Sequence, residues 1–276
     1  MFELINKEIF DAQPHSFEKE PENIFKFKNV TLLNDDCINP NIFNSEFIDL
    51  IVTSPPYNVG IEYNSNDDEL NYNDYLEFSY KWMENCYFWS NTQARFCLNI
   101  PLDKNKGGNK PVGADLTKIA LDAGWKYKST IIWNEGNISK RTAWGSWKSA
   151  SAPVVIAPVE LIAIFFKDEW KKTNGSKEND VTGDEFKDWT QGVWVFNGES
   201  KKRIGHPAPF PKELPYRCIK LFSYLNDVVF DPFAGSGTTL LISEQLKRRS
   251  FGVEIDKQYF ELASNRILRE CSTIEF

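Results

Sequence analysis

Val228-Val229-Phe230-Asp231-Pro232-Phe233-Ala234-Gly235-Ser236-Gly237-Thr238-Thr239 starts as an apolar strand and breaks into a glycine turn. It continues as a helix, Thr238 to Lys247, followed by a second strand, Ser250 to Ile255. Gly235 and Gly237 permit backbone angles and a close approach that a Cβ would block. The helix beginning near Thr238 offers free N–H groups at its start. A phosphate loop would carry Gly-Lys-Ser/Thr, and a dinucleotide loop GxGxxG; this turn has no lysine and only GxG. It therefore suits a ligand less anionic than pyrophosphate. Glu254 follows at the end of the next strand, where a carboxylate can accept both hydroxyls of a ribose. Strand, turn, helix, strand and acid together predict a nucleoside-bearing ligand.

Upstream, the same alternation repeats. Val30 to Leu33 is a short strand ending in Asn34-Asp35-Asp36. Phe47 to Thr53 (FIDLIVT) is the near-continuous apolar run of a buried parallel strand. Asp74 to Ser90 is an aromatic-rich helix with Asp74 as its expected cap. Further strands are expected at Ala94 to Ile100, Lys128 to Trp133 and Val159 to Phe166. Helices are expected at Gly113 to Ala123, Lys212 to Leu225 and Gln258 to Glu270. Residues 1–28 read as an irregular lead-in. The order predicts an α/β fold, a doubly wound and mostly parallel sheet. Ligands in such sheets gather at the carboxyl ends of the strands. Asp36, Ser54, Asp231 and Glu254 all fall there and could share one crevice.

After the FIDLIVT strand comes Thr53-Ser54-Pro55-Pro56-Tyr57-Asn58. Two prolines fix consecutive φ angles and leave carbonyls with little freedom to rotate. Ser54 adds a hydroxyl that accepts or donates. Tyr57 offers a ring on which a planar base can stack, at about 1–3 kcal/mol.

Composition narrows the class. The chain of 276 residues is 41% apolar and carries a net charge of -7. Residues 1–100 hold a charge of -11 and residues 101–276 a charge of +4, with basic clusters in 137–158 and 200–220. A basic face on an acidic body is one reading; an ordinary solvated surface is the other. No run approaches 18 apolar residues and no signal peptide is legible, so a cytoplasmic, non-membrane protein is expected. Five cysteines with no CxxC pair, and only two histidines, argue against disulfides and metal. Ser54 lacks the GxSxG surroundings of a hydrolase nucleophile.

The two loops resemble those of bacterial amino-group DNA methyltransferases, in the class whose catalytic motif precedes the cofactor motif. Phe233-Ala234-Gly235-Ser236-Gly237 is similar to the family's FxGxG, Glu254 to its ribose-binding acid and Asp36 to the acid that meets adenine. His206-Pro207-Ala208-Pro209-Phe210-Pro211 resembles the segment before the cofactor motif. Thr53-Ser54-Pro55-Pro56-Tyr57 resembles the cytosine-N4 form of the catalytic loop; adenine-N6 enzymes more often have Asp or Asn at the Ser54 position. The resemblance implies a seven-stranded Rossmann-like sheet in a single catalytic domain, 1–276, with a target-recognition insertion over 135–205. It implies S-adenosyl-L-methionine as cofactor, held by Asp36, Asp231, Phe233, Ala234, Gly235, Ser236, Gly237, Thr238 and Glu254. Ser54, Pro55, Pro56 and Tyr57 would act on a flipped-out cytosine N4 amine. Lys140, Arg141, Trp144, Trp147, Lys148, Lys201, Lys202 and Arg203 would meet double-stranded DNA. Lys167 to Arg203 stands out as the stretch for target reading. A restriction-modification context follows, with an endonuclease acting on the same site, and a homodimer is compatible. The alternatives are an adenine-N6 enzyme, an RNA or protein-amide methyltransferase, and a non-enzymatic DNA-binding module. A carbon-5 cytosine enzyme would need a Pro-Cys nucleophile, and the chain has none.

Overall fold

The FIDLIVT run forms β3 (Ile48–Thr53), at the middle of the sheet. Its neighbours are β8 (Val228–Asp231) on one side and β4 (Ser90–Pro101) on the other, both parallel to it. A computed structural model describes residues 23–57, 70–102, 110–136, 145–155, 159–173, 175–199 and 211–272. Outward from β8 lie β9 (Arg249–Val253), β2 (Val30–Leu33) and β1 (Ile24–Phe27). Beyond β4 lie β6 (Val159–Phe166), β5 (Lys126–Glu135) and β7 (Val193–Phe196). Among the described strands, only β1 and β6 run against their neighbours.

Among the described residues the sheet thus has nine strands rather than seven. The two additions are its edges: β1, which hairpins onto β2, and β7, which pairs with β5. Four-residue strands carry almost no periodic signal, and IFKF and VWVF are too short to be told from a stray apolar cluster.

Helices cover both faces, which is why β3 is apolar but for Asp49 and Thr53 near its ends. Ile51 packs with α1 (Tyr72–Trp89) and α2 (Val112–Asp122), while Leu50 and Val52 pack toward α4 (Glu213–Phe222). The intervening helix α3 (Gly183–Trp189), closed by a capping box at Thr182, buries Trp189 in the second cluster. Beyond α4, α5 (Thr238–Gln245) and α6 (Lys257–Ser272) pack over β2. Helix α1 buries Tyr75, Ser79, Trp82, Met83, Cys86 and Trp89, one helical stripe. Its cap is Asn71, whose side chain accepts from the Asn73 amide at 3.0 Å, and not Asp74. All five cysteines are buried and unpaired by disulfides. Among the described residues no helix is long and apolar enough to cross a membrane.

Topology fixes the working edge. From β3 the chain crosses through α1 to β4; from β8 it crosses through α5 to β9, the other way. Adjacent strands whose connections diverge leave a crevice at their carboxyl ends. The loop Ser54–Tyr57 and the turn Pro232–Gly237 leave from those two ends.

Candidate active site

Six adjacent strands each bring one polar residue to the carboxyl edge. Their order is Asp36 beyond β2, Glu254 beyond β9, Asp231 ending β8, Ser54 beyond β3, Asn99 late in β4 and Glu160 at the start of β6. With strands about 4.8 Å apart, Asp36 and Ser54 are separated by roughly 14 Å across the sheet. That span suits an extended nucleoside with a short tail.

The two loops are clamped to each other. The Thr53 hydroxyl donates to Asp231 Oδ1 at 2.7 Å, and the Phe233 amide donates to the same oxygen at 3.1 Å. Asp231 is fully buried, and burial pushes its pKa up to about 6 against the lowering by the Thr53 hydroxyl. Its Oδ2 has no hydrogen-bond partner among the described residues. An orphaned buried acceptor at a ligand turn fits a cationic or N–H-bearing ligand.

Glu254 shapes the turn from β9. Its Oε2 accepts from the Gly235 amide at 2.8 Å and its Oε1 from the Asp256 amide at 2.9 Å. Each oxygen keeps a second lone pair, so hydroxyls can still bind. Burial raises its pKa to about 7, although those two amides pull the other way. Asn34 Nδ2 donates to the Glu254 carbonyl at 2.8 Å, which draws the end of β2 toward the same spot. Asp36 is half-buried, and its carboxylate accepts from the Ile38 amide at 3.2 Å.

The glycines are needed where they stand. Gly235 and Gly237 have φ of 52° and 74°. A Cβ on Gly237 would also meet Ala263 Cβ at 3.1 Å. Ala234, Ser236 and Thr238 are buried beside them, and Phe233 is half-buried against Trp82, ring centroids 5.1 Å apart and edge-on. Beneath the turn lies a residue that the sequence analysis missed. The buried guanidinium of Arg266 donates to Ser236 O at 2.9 Å, Ser236 Oγ at 3.1 Å and Thr238 Oγ1 at 2.9 Å. Glu270 balances its charge, accepting from Nε at 3.0 Å.

The proline loop is held from below. Tyr75 on α1 donates to the Pro56 carbonyl at 2.9 Å. Among the described residues no hydrogen bond reaches the Pro55 carbonyl. Ser54 Oγ and Tyr57 Oη are 2.6 Å apart. Tyr57 Oη donates to Glu160 Oε2 at 3.1 Å, and Asn99 Nδ2 donates to that oxygen at 2.6 Å and to Tyr57 Oη at 2.9 Å. Neither Asn99 nor Glu160 was singled out from sequence. Each had a signal: Asn99 is a buried polar residue in the apolar run FCLNI, and Glu160 an acid opening the apolar run LIAIFF.

The segments expected to meet DNA divide in space. Strands β5 and β7 end, and β6 begins, at the carboxyl edge, so the residues that follow β5 and β7, Gly136 and Asn197, leave from the edge where Glu160 opens β6. Within them Gly145–Pro153 closes a small turn, with Trp147 62% exposed and Lys148 Nζ 5.5 Å from its ring centroid. Lys140, Arg141, Trp144, Lys201, Lys202, Arg203 and the segment from His206 to Phe210 lie outside the described residues. Residues 167–180, by contrast, are strapped to the opposite edge. Lys172 Nζ lies 2.7 Å from Asp227 and 3.5 Å from Asp49, Lys177 lies 2.5 Å from Asp227, and Arg248 Nη1 lies 2.6 Å from Asp180. Lys172, Lys177 and Asp180 thus lie at the opposite edge of the sheet from the end of β7.

A family model described as DNA methylase, of the N6/N4 type, matches residues 48–265. The Type II methyltransferase M.MjaVI of Methanocaldococcus jannaschii is 58% identical over 179 residues, covering 65% of this chain and 91% of that protein. M.HpaI of Haemophilus parainfluenzae, another Type II methyltransferase, is 30% identical over 225 residues, covering 80% and 68%. Among solved structures, TTHA0409 of Thermus thermophilus in complex with S-adenosyl-L-methionine superposes with a TM-score of 0.69, at 25% identity over 89% of this chain and 95% of that one. The cytosine-N4-specific PvuII DNA methyltransferase shares the fold, TM-score 0.66, at 19% identity over 94% and 96%.

Proposed function

The chain belongs to the N6/N4 DNA methylase family, and on that basis we propose that it methylates the exocyclic amine of a cytosine in duplex DNA, as the modification enzyme of a Type II system. S-adenosyl-L-methionine is the cofactor; it supplies an electrophilic methyl group on a sulfonium. The observation that carries the proposal is the Thr53–Asp231 clamp, which presses the proline loop against the glycine turn.

Asp36 and Glu254 hold the nucleoside end of the cofactor, with Glu254 accepting the ribose hydroxyls. Asp231, Phe233 and the turn Ala234–Thr238 hold the rest. The Ser54 hydroxyl and the Pro55 carbonyl accept the two amine hydrogens. Their fixed positions draw the nitrogen lone pair out of conjugation with the ring, so positioning and fixed dipoles carry the rate. The target base is flipped out of the duplex, with Tyr57 stacking on it. Target recognition is assigned to the basic segments that follow β5 and β7 in sequence, because those two strands end at the carboxyl edge. The choice of cytosine over adenine rests on Ser54 standing where an acid or amide is the commoner adenine-N6 residue.

Digesting modified DNA to nucleosides and weighing them tests this. N4-methylcytosine is expected. N6-methyladenine would replace the base assignment, and modified RNA or protein with unmodified DNA would remove the DNA assignment.

A further inference from the structure

We propose that Glu160 anchors a hydrogen-bond relay, Ser54–Tyr57–Glu160, that orients the Ser54 lone pair toward the target amine and takes up the proton released by methylation. This rests on the proposed role of Ser54.

The direction of the relay follows from counting hydrogens. Tyr57 has one hydroxyl hydrogen, and it is committed to Glu160 Oε2 at 3.1 Å. Tyr57 Oη must then act as acceptor at two further short contacts among the described residues. One is Asn99 Nδ2 at 2.9 Å, which has no other role open to it than donor. The other is Ser54 Oγ at 2.6 Å. The Ser54 hydrogen therefore points at Tyr57, and the Ser54 lone pairs point elsewhere, into the crevice. Asn99 locks this arrangement. Its two amide hydrogens serve Glu160 Oε2 at 2.6 Å and Tyr57 Oη at 2.9 Å, so the contact to Ser54 Oγ at 3.5 Å is too long to compete. With Tyr57 replaced by a group that could not accept, Ser54 would be free to turn its hydrogen toward the incoming amine and repel it.

The same chain balances the proton. The amine nitrogen forms a bond to the methyl carbon as the carbon–sulfur bond breaks, and that electron pair stays on sulfur. The nitrogen now carries a positive charge and one hydrogen too many. That proton passes to Ser54 Oγ, the Ser54 proton passes to Tyr57 Oη, and the Tyr57 proton passes to Glu160. The base ends neutral and Glu160 protonated, to be reset by solvent. Glu160 acts through Tyr57 and is a positioning residue; within the relay, only Ser54 touches the substrate amine. Glu160 is placed for this by β6, whose reversed direction brings its first residues, and not its last, to the carboxyl edge.

The test uses the full-length enzyme, with its target base first located by sequencing DNA modified by the wild type; failure at that step would strike the parent reading and not the relay. Glu160→Gln, Tyr57→Phe and the double variant are compared in three measurements. Cofactor affinity by calorimetry should stay within about threefold, which certifies the fold. Single-turnover methyl transfer should fall about a hundredfold in each single variant, the low end of proton-transfer effects. The double variant should be no worse than the worse single one, because both break one chain. A third measurement needs no turnover: anisotropy of duplexes with cytosine or 2-pyrimidinone at the target. The preference for the amine-bearing base should shrink about tenfold in both variants, as for the loss of one oriented hydrogen bond. Wild-type rate and base preference in Glu160→Gln, or losses that multiply in the double variant, would overturn the relay. If Glu160→Gln fails to bind cofactor, Tyr57→Phe, which removes one oxygen, decides the question on the same two readouts.

Discussion

In the proposed mechanism Ser54 and Glu254 have separable duties, and their variants should fail differently. Ser54→Ala removes an acceptor that matters only when the amine is present. Turnover should drop by about 10²-fold while cofactor affinity holds; equal losses in rate and calorimetric affinity would reassign the residue. Glu254→Ala should mainly weaken cofactor binding, by about tenfold or more, since hydrogen bonds to a carboxylate are worth about 1.5–3 kcal/mol. The acids also set a pH dependence. Burial raises Asp231 to about 6 and Glu254 to about 7, and in the proposed mechanism both serve the ligand as ionised acceptors. Cofactor affinity should therefore climb as pH rises from about 5.5 to about 8, with protons released on binding near pH ~6.5. The cofactor-free protein should show the reverse: a raised carboxyl stabilises the fold at low pH, and that contribution is lost as pH passes upward through about 6–7. Calorimetry in buffers of different ionisation enthalpy would measure the release, and its absence between those two pKa values would place these acids outside the cofactor site.

Elements position these residues through a few buried charges. Arg266 on α6 ties down the turn before α5, so Arg266→Leu should strand the Ser236 carbonyl and lower cofactor affinity about tenfold, roughly the 1–3 kcal/mol of one abandoned buried acceptor. Unchanged affinity by calorimetry would show that the turn holds its shape alone. At the opposite edge, Asp227 is fully buried and lies between Lys172 and Lys177. Burial alone would raise its pKa; the two lysines and the Tyr224 amide overcome that and hold it below the usual value. Asp227→Ala would leave Lys172, 5% exposed, without its nearest partner. That should cost about 3–5 kcal/mol, or roughly a 5–15 °C fall in Tm, with cofactor affinity intact in the folded protein. A loss of affinity without a loss of Tm would contradict the structural role. Here sequence was a weak guide. The lysines of 167–180 read as part of a basic insertion for DNA, because charge in a Gly/Asn-rich stretch says nothing about which edge of the sheet it closes. The direction of β6 decides that, and direction is a property of pairing. The edge strands β1 and β7 were illegible for a related reason: four residues cannot display a period. The long apolar strands and their following loops were legible because burial on both faces leaves few other sequences open to them.

At the scale of the molecule, the cofactor turn and the proline loop could be found from residue types alone, and their adjacency follows from the doubly wound order. What completes the site, Asn99 and Glu160, comes from β4 and β6, which are far apart in sequence and neighbours only in the sheet. Catalysis as proposed requires one crevice to hold both a methyl donor along Asp36–Glu254–Asp231 and an amine at Ser54–Pro55. A crystal structure with S-adenosyl-L-methionine bound would locate the donor without inference. Ribose hydroxyls on Glu254 and a sulfonium methyl facing Ser54 and Pro55 are expected; a sulfonium turned away from residues 53–57, with the ribose clear of Glu254, would refute the shared crevice.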